Sequence, residues 1–224
     1  MKHPALHCAV AALLLSGACS TYAADSYWYT GLGVGLSHVQ FYPADFSSGG
    51  SPTCSPRGSC SESQDEFDAG FKGFIGYQIN QNWAAELSYA TVGKFHYKYD
   101  DGTVTQDGVY KVSGVGFSAV PTIPFTRNLS VFGRLGMFFS QARMTFYNNG
   151  FVAGAVSPGQ QFSNATLLAG FGAQYFFDGE NGMRIEYENF GKVGNECNPN
   201  VTPPVPCTGR ANARMLSVSA IFKF

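Results

Sequence analysis

The sequence predicts an all-β protein, an eight-stranded antiparallel transmembrane up-and-down β-barrel. Apolar residues recur at every second position along most of the chain after its first 25 residues, which is the pattern of β-strands. The connections between these segments alternate between short and long. One face of the predicted strands carries no charge, whereas the opposite face carries seven charged residues. Together these three observations favour a barrel in a lipid bilayer.

Composition supports the same class. Hydrophobic residues make up 45% of the 224-residue chain and charged residues only 13%, about half the usual charged share. The net charge of −1 and the 14 Lys and Arg residues leave no basic surface for a nucleic-acid partner. No apolar run reaches the roughly 18 residues that a membrane-spanning helix needs. A closed barrel is therefore the architecture by which this chain can span a membrane.

The N-terminus has the three-part pattern of a secretory signal. Lys2 provides the positive start, Ala9–Leu15 is apolar, and small residues suit cleavage after Ala23. Lipidation at Cys19 is the alternative processing route. We expect a signal peptide at residues 1–23 and the barrel domain at residues 24–224.

Four cysteines remain after that cleavage, and they allow three pairings. Cys54 and Cys60 share one polar, Pro-containing stretch, and Cys197 and Cys207 share another. Two local disulfides are the simplest assignment in an oxidising periplasm. A metal site is the alternative, but no CxxC spacing and no nearby His supports it. We expect neither a metal nor a cofactor.

The first strand is Trp28–Leu36, in which apolar residues alternate with glycine. Its GxGxG spacing differs from the GxGxxG of dinucleotide-binding loops, and no helical pattern follows. In the fourth strand, Pro121 cannot donate a ladder hydrogen bond, so we expect that strand to weaken or bulge there. The seven strands after the first are predicted at 71–79, 83–91, 109–123, 129–143, 165–177, 183–189 and 214–224.

The short connections are residues 80–82, 126–128 and 178–182. The long connections lie at 40–66, 98–106, 148–163 and 194–211. Outer-membrane barrels have short periplasmic turns and longer extracellular loops, whereas a soluble sandwich has no reason to sort its connections. We therefore expect both termini in the periplasm.

The uncharged face is expected to contact lipid, with a girdle of aromatic residues near the short turns. The girdle residues are Trp28, Tyr77, Trp83, Tyr175 and Phe222. The inward face carries Lys72, Glu86, Arg134, Arg184, Glu186, Glu188 and Lys223.

Seven motifs, in this order, resemble the OmpA-like transmembrane barrel family in its stand-alone eight-strand form. They are WYTGLGVG at 28–35, GFKGFIGY at 70–77, WAAELSY at 83–89, FGRLG at 132–136, GFGAQY at 170–175, RIEY at 184–187 and LSVSAIFKF at 216–224. The last resembles the signal that the outer-membrane assembly machinery reads, which places Phe222 and Phe224 in that signal. Since the chain stops at Phe224, we expect no peptidoglycan-binding domain after the barrel.

The inward charges have two interpretations. An eight-stranded barrel has an interior just wide enough for side chains, so Lys72, Glu86, Arg134 and Glu186 are expected to pair and fill it. Related barrels use such a luminal network, and the resemblance implies the same role here. A gated pore is the alternative.

The function expected is a structural or surface-interaction role, carried by the extracellular loops. The expected partners are outer-membrane lipids, lipopolysaccharide and the assembly machinery, with a host or surface ligand as a further candidate. A lipid A-modifying enzyme is a third class, for which His38 and His96 at the long-loop rim are the candidate catalytic groups. Cations near the same rim suit lipopolysaccharide phosphates or a host surface, and they are Lys94, Lys98, Lys111, Arg143, Arg210 and Arg214.

Overall fold

The computed structural model describes residues 26–41, 61–64, 66–100, 105–146, 160–195 and 208–224. Within these ranges no helix is suited to crossing a membrane. The described residues form nine antiparallel strands: β1 (Tyr27–Phe41), β2 (Ser61–Gln64), β3 (Phe67–Asn80), β4 (Trp83–Asp100), β5 (Thr105–Pro124), β6 (Leu129–Phe146), β7 (Gln160–Phe176), β8 (Asn181–Val193) and β9 (Ala211–Lys223).

Eight of these strands close into the predicted barrel. The order around the ring is β1, β3, β4, β5, β6, β7, β8 and β9, and β9 pairs with β1. The short β2 differs from the prediction, because it falls in a segment that the sequence pattern assigns to a connection. It forms because β4 runs on to Asp100, past its last pairing with β3 at Thr91, and so leaves an edge with which Ser61–Gln64 pair.

Two β-bulges explain why β4 and β8 are longer than predicted. The register of β4 shifts between Thr91 and Gly93, and that of β8 shifts between Asn189 and Gly191. Both glycines have positive φ, 119° and 73°, which glycine adopts without steric cost. An extra residue at each bulge reverses the alternation beyond it, so a strict period of two ends there although the strand continues.

The structure confirms the predicted facing of the strands. On the outward face, Leu36 is 70% exposed and Phe171 is 65% exposed. On the inward face, Lys72 and Glu188 are fully buried. Large apolar groups outside and charges inside are the arrangement expected of a barrel in lipid.

A side-chain oxygen caps each of the three short turns. Asn80 Oδ1 accepts hydrogen bonds from the backbone N–H groups of Asn82 and Trp83. Thr126 Oγ1 and Asp178 Oδ1 do the same in the turns before β6 and β8. These Asx and Thr turns fix tight connections at one end of the barrel, as the sequence predicts.

The expected weak point at Pro121 is present. Ala119 pairs with Leu135 and Thr122 pairs with Phe132, but Val120 and Pro121 make no ladder pair with β6. The register is the same on both sides of this gap, so the ladder is interrupted without a bulge. The missing N–H of proline accounts for the interruption.

Candidate functional site

Six charged side chains meet in the middle of the barrel interior, and we call them the luminal cluster. Strand alternation places them there, because residues two apart on a strand share a face. Their exposed fractions lie between 0% and 3%. The members are Lys72 on β3, Glu86 on β4, Arg134 on β6, and Arg184, Glu186 and Glu188 on β8.

Arg134 is the centre of the luminal cluster. Its guanidinium donates from Nη2 to Glu86 Oε1 and from Nε to Glu186 Oε1. Its Nη1 donates to Ser118 Oγ at 2.8 Å. This one side chain therefore links β6 to β4, β5 and β8.

The other two cations extend the cluster at both ends. Lys72 Nζ lies 2.6 Å from Glu186 Oε2 and 2.8 Å from Glu188 Oε2, which links β3 to β8. Arg184 Nη1 lies 2.7 Å from Glu86 Oε2, which links β8 to β4. The three cations are matched by three carboxylates. Such pairing offsets the large cost of burying charge in a place with little water.

Neutral groups complete the cluster. The sequence pattern predicts the bulky rings of Phe74 and Phe132 on the inward face, but it did not single out Tyr29 or Gln174. The Tyr29 hydroxyl donates to Glu86 Oε2 at 3.0 Å, and Arg184 Nη2 donates to Gln174 Oε1 at 2.8 Å. Arg184 Cζ also lies 4.6 Å from the ring centroids of both Phe74 and Phe132, within the range of cation–π attraction. Alternation puts all of these residues on the inward face, and that is the signal that could have found them.

The four residues named from the sequence as the luminal network, Lys72, Glu86, Arg134 and Glu186, all lie in this cluster. Lys223, the seventh inward charge, lies apart from it. Its Nζ is 3.5 Å from the centroid of the Phe176 ring, at the short-turn mouth of the barrel.

Two apolar layers enclose the luminal cluster along the barrel axis. The layer toward the short turns is mostly aromatic, whereas the layer toward the long connections mixes aromatic with aliphatic and Met side chains, and the side chains of both layers are nearly or fully buried. The described interior is thus an ionic layer between two apolar layers. The layer toward the short turns includes Tyr29, Phe74, Phe132, Phe176 and Ile221, and the layer toward the long connections includes Phe95, Tyr110, Phe138, Met144 and Phe190.

The two histidines do not share a site. His38 Nε2 lies 3.2 Å from Glu66 Oε2, and its ring lies 4.7 Å from the Phe67 ring. His96 is exposed on β4. His38 thus pairs with a carboxylate, and in the part of the chain that the structure describes no serine hydroxyl hydrogen-bonds to it.

The remaining sequence predictions divide into two groups. Phe222 and Phe224 point outward, and the backbone of Phe224 exchanges hydrogen bonds with Trp28 at 2.9 and 3.2 Å. The predicted signal peptide and Cys54, Cys60, Cys197 and Cys207 lie outside the described residues. Across the described ranges, no group of three or more His, Cys, Asp or Glu residues is arranged to hold a metal ion.

Comparison with known proteins gives consistent results at the level of sequence and of fold. The sequence model of the OmpA-like transmembrane domain matches residues 23–224. Outer membrane protein A of Escherichia fergusonii is 29% identical over 194 residues, and that of Yersinia pseudotuberculosis is 28% identical over 194 residues. Each alignment covers 87% of this chain and 50% of the relative, so the chain spans about half the length of these relatives.

Among solved structures, Neisserial surface protein A has a similar fold. The TM-score is 0.50 and the sequence identity 14%, and the match covers 88% of this chain and 97% of that chain. This likeness concerns the barrel architecture alone.

Proposed function

The chain belongs to the OmpA-like transmembrane domain family and is an integral outer-membrane β-barrel protein, and from that premise we propose that it is a closed membrane scaffold. In this role the barrel anchors and orients the long connecting segments, which act at the cell surface. It neither conducts solutes steadily nor catalyses a reaction.

The single observation that carries this proposal is the luminal cluster. The contact between Glu86 and Arg184 joins β4 to β8, which lie four strands apart in either direction around the ring. A pore selective for one sign of charge is lined by charges of that sign. Here the charges are balanced and in mutual contact, and apolar layers cover them on both sides.

The proposal includes an orientation. The short turns and both termini of the barrel lie on the periplasmic side, and the connections after β1, β4, β6 and β8 lie outside the cell, as is usual for such barrels. Export through the signal peptide at residues 1–23 and insertion by the assembly machinery precede this state. The partners are then outer-membrane lipids and lipopolysaccharide around the wall, and a host or surface ligand at the long connections.

Conductance in planar bilayers tests the closed interior. Purified wild-type protein, shown to be folded by its heat-modifiable migration in gels, is expected to give little steady conductance. The control variant Arg143→Ala changes an exposed cation outside the cluster, and its conductance is expected to be as low as that of the wild type. Large, long-lived openings of the wild-type protein would contradict the proposal and favour the pore.

Epitope insertion tests the orientation. A tag placed within residues 147–159 is expected to bind antibody on intact cells. The same tag between Thr126 and Asn128, in a short turn, is expected to bind only after the outer membrane is permeabilised. The reverse pattern would exclude a surface role for the long connections.

A further inference from the structure

Three cations form a row on the outer wall of the barrel, near the long connections. Lys94 on β4 is the direct partner of Lys111 on β5, and Lys111 is the direct partner of Arg143 on β6. All three side chains are exposed and point outward. We call this group the cation row.

The backbone of β4 is shaped so that Lys94 joins this row. Residues 84, 86, 88, 90 and 92 point inward, and unbroken alternation would also turn residue 94 inward. The bulge at Gly93 inserts one residue, so Lys94 instead faces outward opposite Lys111. Bulges commonly re-aim a side chain in this way. A second bulge, at Gly191 on β8, turns Lys192 outward by the same device.

The cation row lacks carboxylate partners among the described residues. Like charges directly opposite one another on neighbouring strands destabilise a sheet. Arg143 Nη2 donates to the neutral Gln161 Oε1 at 2.7 Å. The Asp68 carboxylate accepts hydrogen bonds from the backbone N–H groups of Lys94 and Ala69. Among the described contacts it makes no ion pair with the Lys94 ammonium group. A bound anion would remove the repulsion within the row.

Below the cation row, toward the middle of the barrel, the outward residues are first polar and then apolar. Ser113, Gln141 and Ser163 are paired in the next row, and they can hydrogen-bond to hydroxyl groups. The row after that is apolar and contains Val115 and Phe139. A groove of about 420 Å³ lies along the polar and apolar rows below the cation row, with Ser113, Gln141 and Phe139 among its walls.

We propose that this surface binds the phosphorylated sugar head group of a glycolipid of the outer leaflet, the class to which lipopolysaccharide belongs. The phosphate lies on Lys94, Lys111 and Arg143, the sugar contacts Ser113 and Gln141, and the acyl chains continue along the apolar wall. From the cation row toward the middle of the barrel, the surface offers cations, then hydrogen-bonding groups and then apolar side chains. This is the order of the phosphate, the sugar and the acyl chains in such an amphiphile. The inference rests on the proposed orientation, which places the cation row at the outer leaflet.

Native mass spectrometry of the purified barrel in neutral detergent with EDTA tests the site, with diphosphorylated lipid A as the probe. Each cation near a membrane surface contributes about five-fold to the binding of anionic lipid. The variant Lys94→Gln/Lys111→Gln/Arg143→Gln is therefore expected to bind lipid A roughly a hundred-fold more weakly. Arg127→Gln, which removes an exposed cation from the short-turn end, is the matched control and is expected to bind normally.

Two further arms identify the ligand chemistry. Dephosphorylated lipid A is expected to bind the wild-type barrel as weakly as diphosphorylated lipid A binds the triple variant. Millimolar inorganic phosphate is expected not to compete, because it lacks the sugar and the acyl chains. Ser113→Trp, which fills the groove and leaves the cations in place, is expected to weaken lipid A binding while gel migration stays that of a folded barrel.

Equal binding by the wild-type barrel and the triple variant, or equal binding of both forms of lipid A, would overturn the inference. These measurements use detergent-solubilised protein, so they do not depend on which way the barrel faces in the cell. A reversed epitope pattern with lipid A binding intact would therefore refute the proposed orientation and not the site.

Discussion

Glu86 on β4 and Arg184 on β8 stand on opposite walls of the barrel, and the distance between Glu86 Oε2 and Arg184 Nη1 is 2.7 Å. Tyr29 donates to the same carboxylate oxygen from β1. No two of β1, β4 and β8 are adjacent on the ring, yet side chains from all three meet at this one oxygen atom. The interior is held together across its diameter, and not only by the ladder around its circumference.

Replacing Arg134 with Ala should destabilise the barrel strongly. The change leaves Glu86 and Glu186 with one cation fewer, and removing one partner of a buried ion pair costs about 3–5 kcal/mol. Urea unfolding in lipid vesicles, followed by the fluorescence of Trp28 and Trp83, measures the effect. Arg143→Ala is the exposed control and should change the free energy of unfolding by no more than about 0.5 kcal/mol. Equal stability of the Arg134→Ala variant and the wild type would contradict a buried, paired cluster.

The turn at Asp178 should contribute stability that depends on pH. Hydrogen bonds from the backbone and side chain of Asn181 hold the pKa of the Asp178 carboxyl below its usual range. A lowered pKa in the folded state means that the stabilisation is present above the unfolded pKa of about 3.9 and is lost as pH falls through the folded value.

The measurement is the difference in urea midpoint between the wild type and Asp178→Ala. It should be present at pH 7 and should shrink toward zero as the solution becomes more acidic than the folded pKa. Asp178→Asn keeps an oxygen acceptor but does not titrate, so its difference from the wild type should be smaller at neutral pH. A difference for Asp178→Ala that is constant across this range would show that the carboxylate charge plays no part.

The sequence predicts the barrel well because facing, strand number and turns all depend on local patterns. Alternation alone places Lys72 and Glu86 inside, and Asn80 and Asp178 mark their turns. The prediction loses the outer ends of β4 and β8 at Gly93 and Gly191, because a single inserted residue reverses the alternation that defines a strand. A glycine is a weak signal for a bulge in a chain that contains 27 of them.

The sequence predicts which residues belong to the luminal cluster better than it predicts which of them pair. The inward set contains all six charges, but the partner of each charge depends on the stagger of strands around the ring, which no local pattern reports. Lys223 illustrates this limit. It is on the inward face by alternation, yet its height along the barrel puts it beside Phe176 and Tyr27 and away from every carboxylate of the cluster.

Deleting Phe224 should impair insertion into the outer membrane. The prediction follows from the alternating apolar residues that end the chain, and in the folded barrel the backbone of Phe224 also pairs with Trp28. Phe224→Ala separates the two roles, since it removes the ring and keeps the backbone bonds. We expect it to leave most of the protein protease-sensitive in the periplasm, and Phe224→Tyr to insert normally. Normal insertion of Phe224→Ala would mean that the ring is not read.

Two local disulfides, Cys54–Cys60 and Cys197–Cys207, should be found by peptide mapping under non-reducing conditions. Cys197 and Cys207 lie in a segment whose ends are already held together, because the backbone N–H of Thr208 donates to Asn195 Oδ1 at 2.8 Å. Closing a loop of this length typically adds about 2–3 kcal/mol, chiefly by restricting the unfolded chain. In oxidising buffer, Cys197→Ser/Cys207→Ser should therefore lower the free energy of unfolding by up to that amount. In a background where Cys54 and Cys60 are also replaced by Ser, the proteins with and without Cys197 and Cys207 should be equally stable in reducing buffer. Recovery of a peptide that joins Cys54 to Cys197 would refute the local pairing, because it would require the connection after β1 to be tied covalently to the connection after β8.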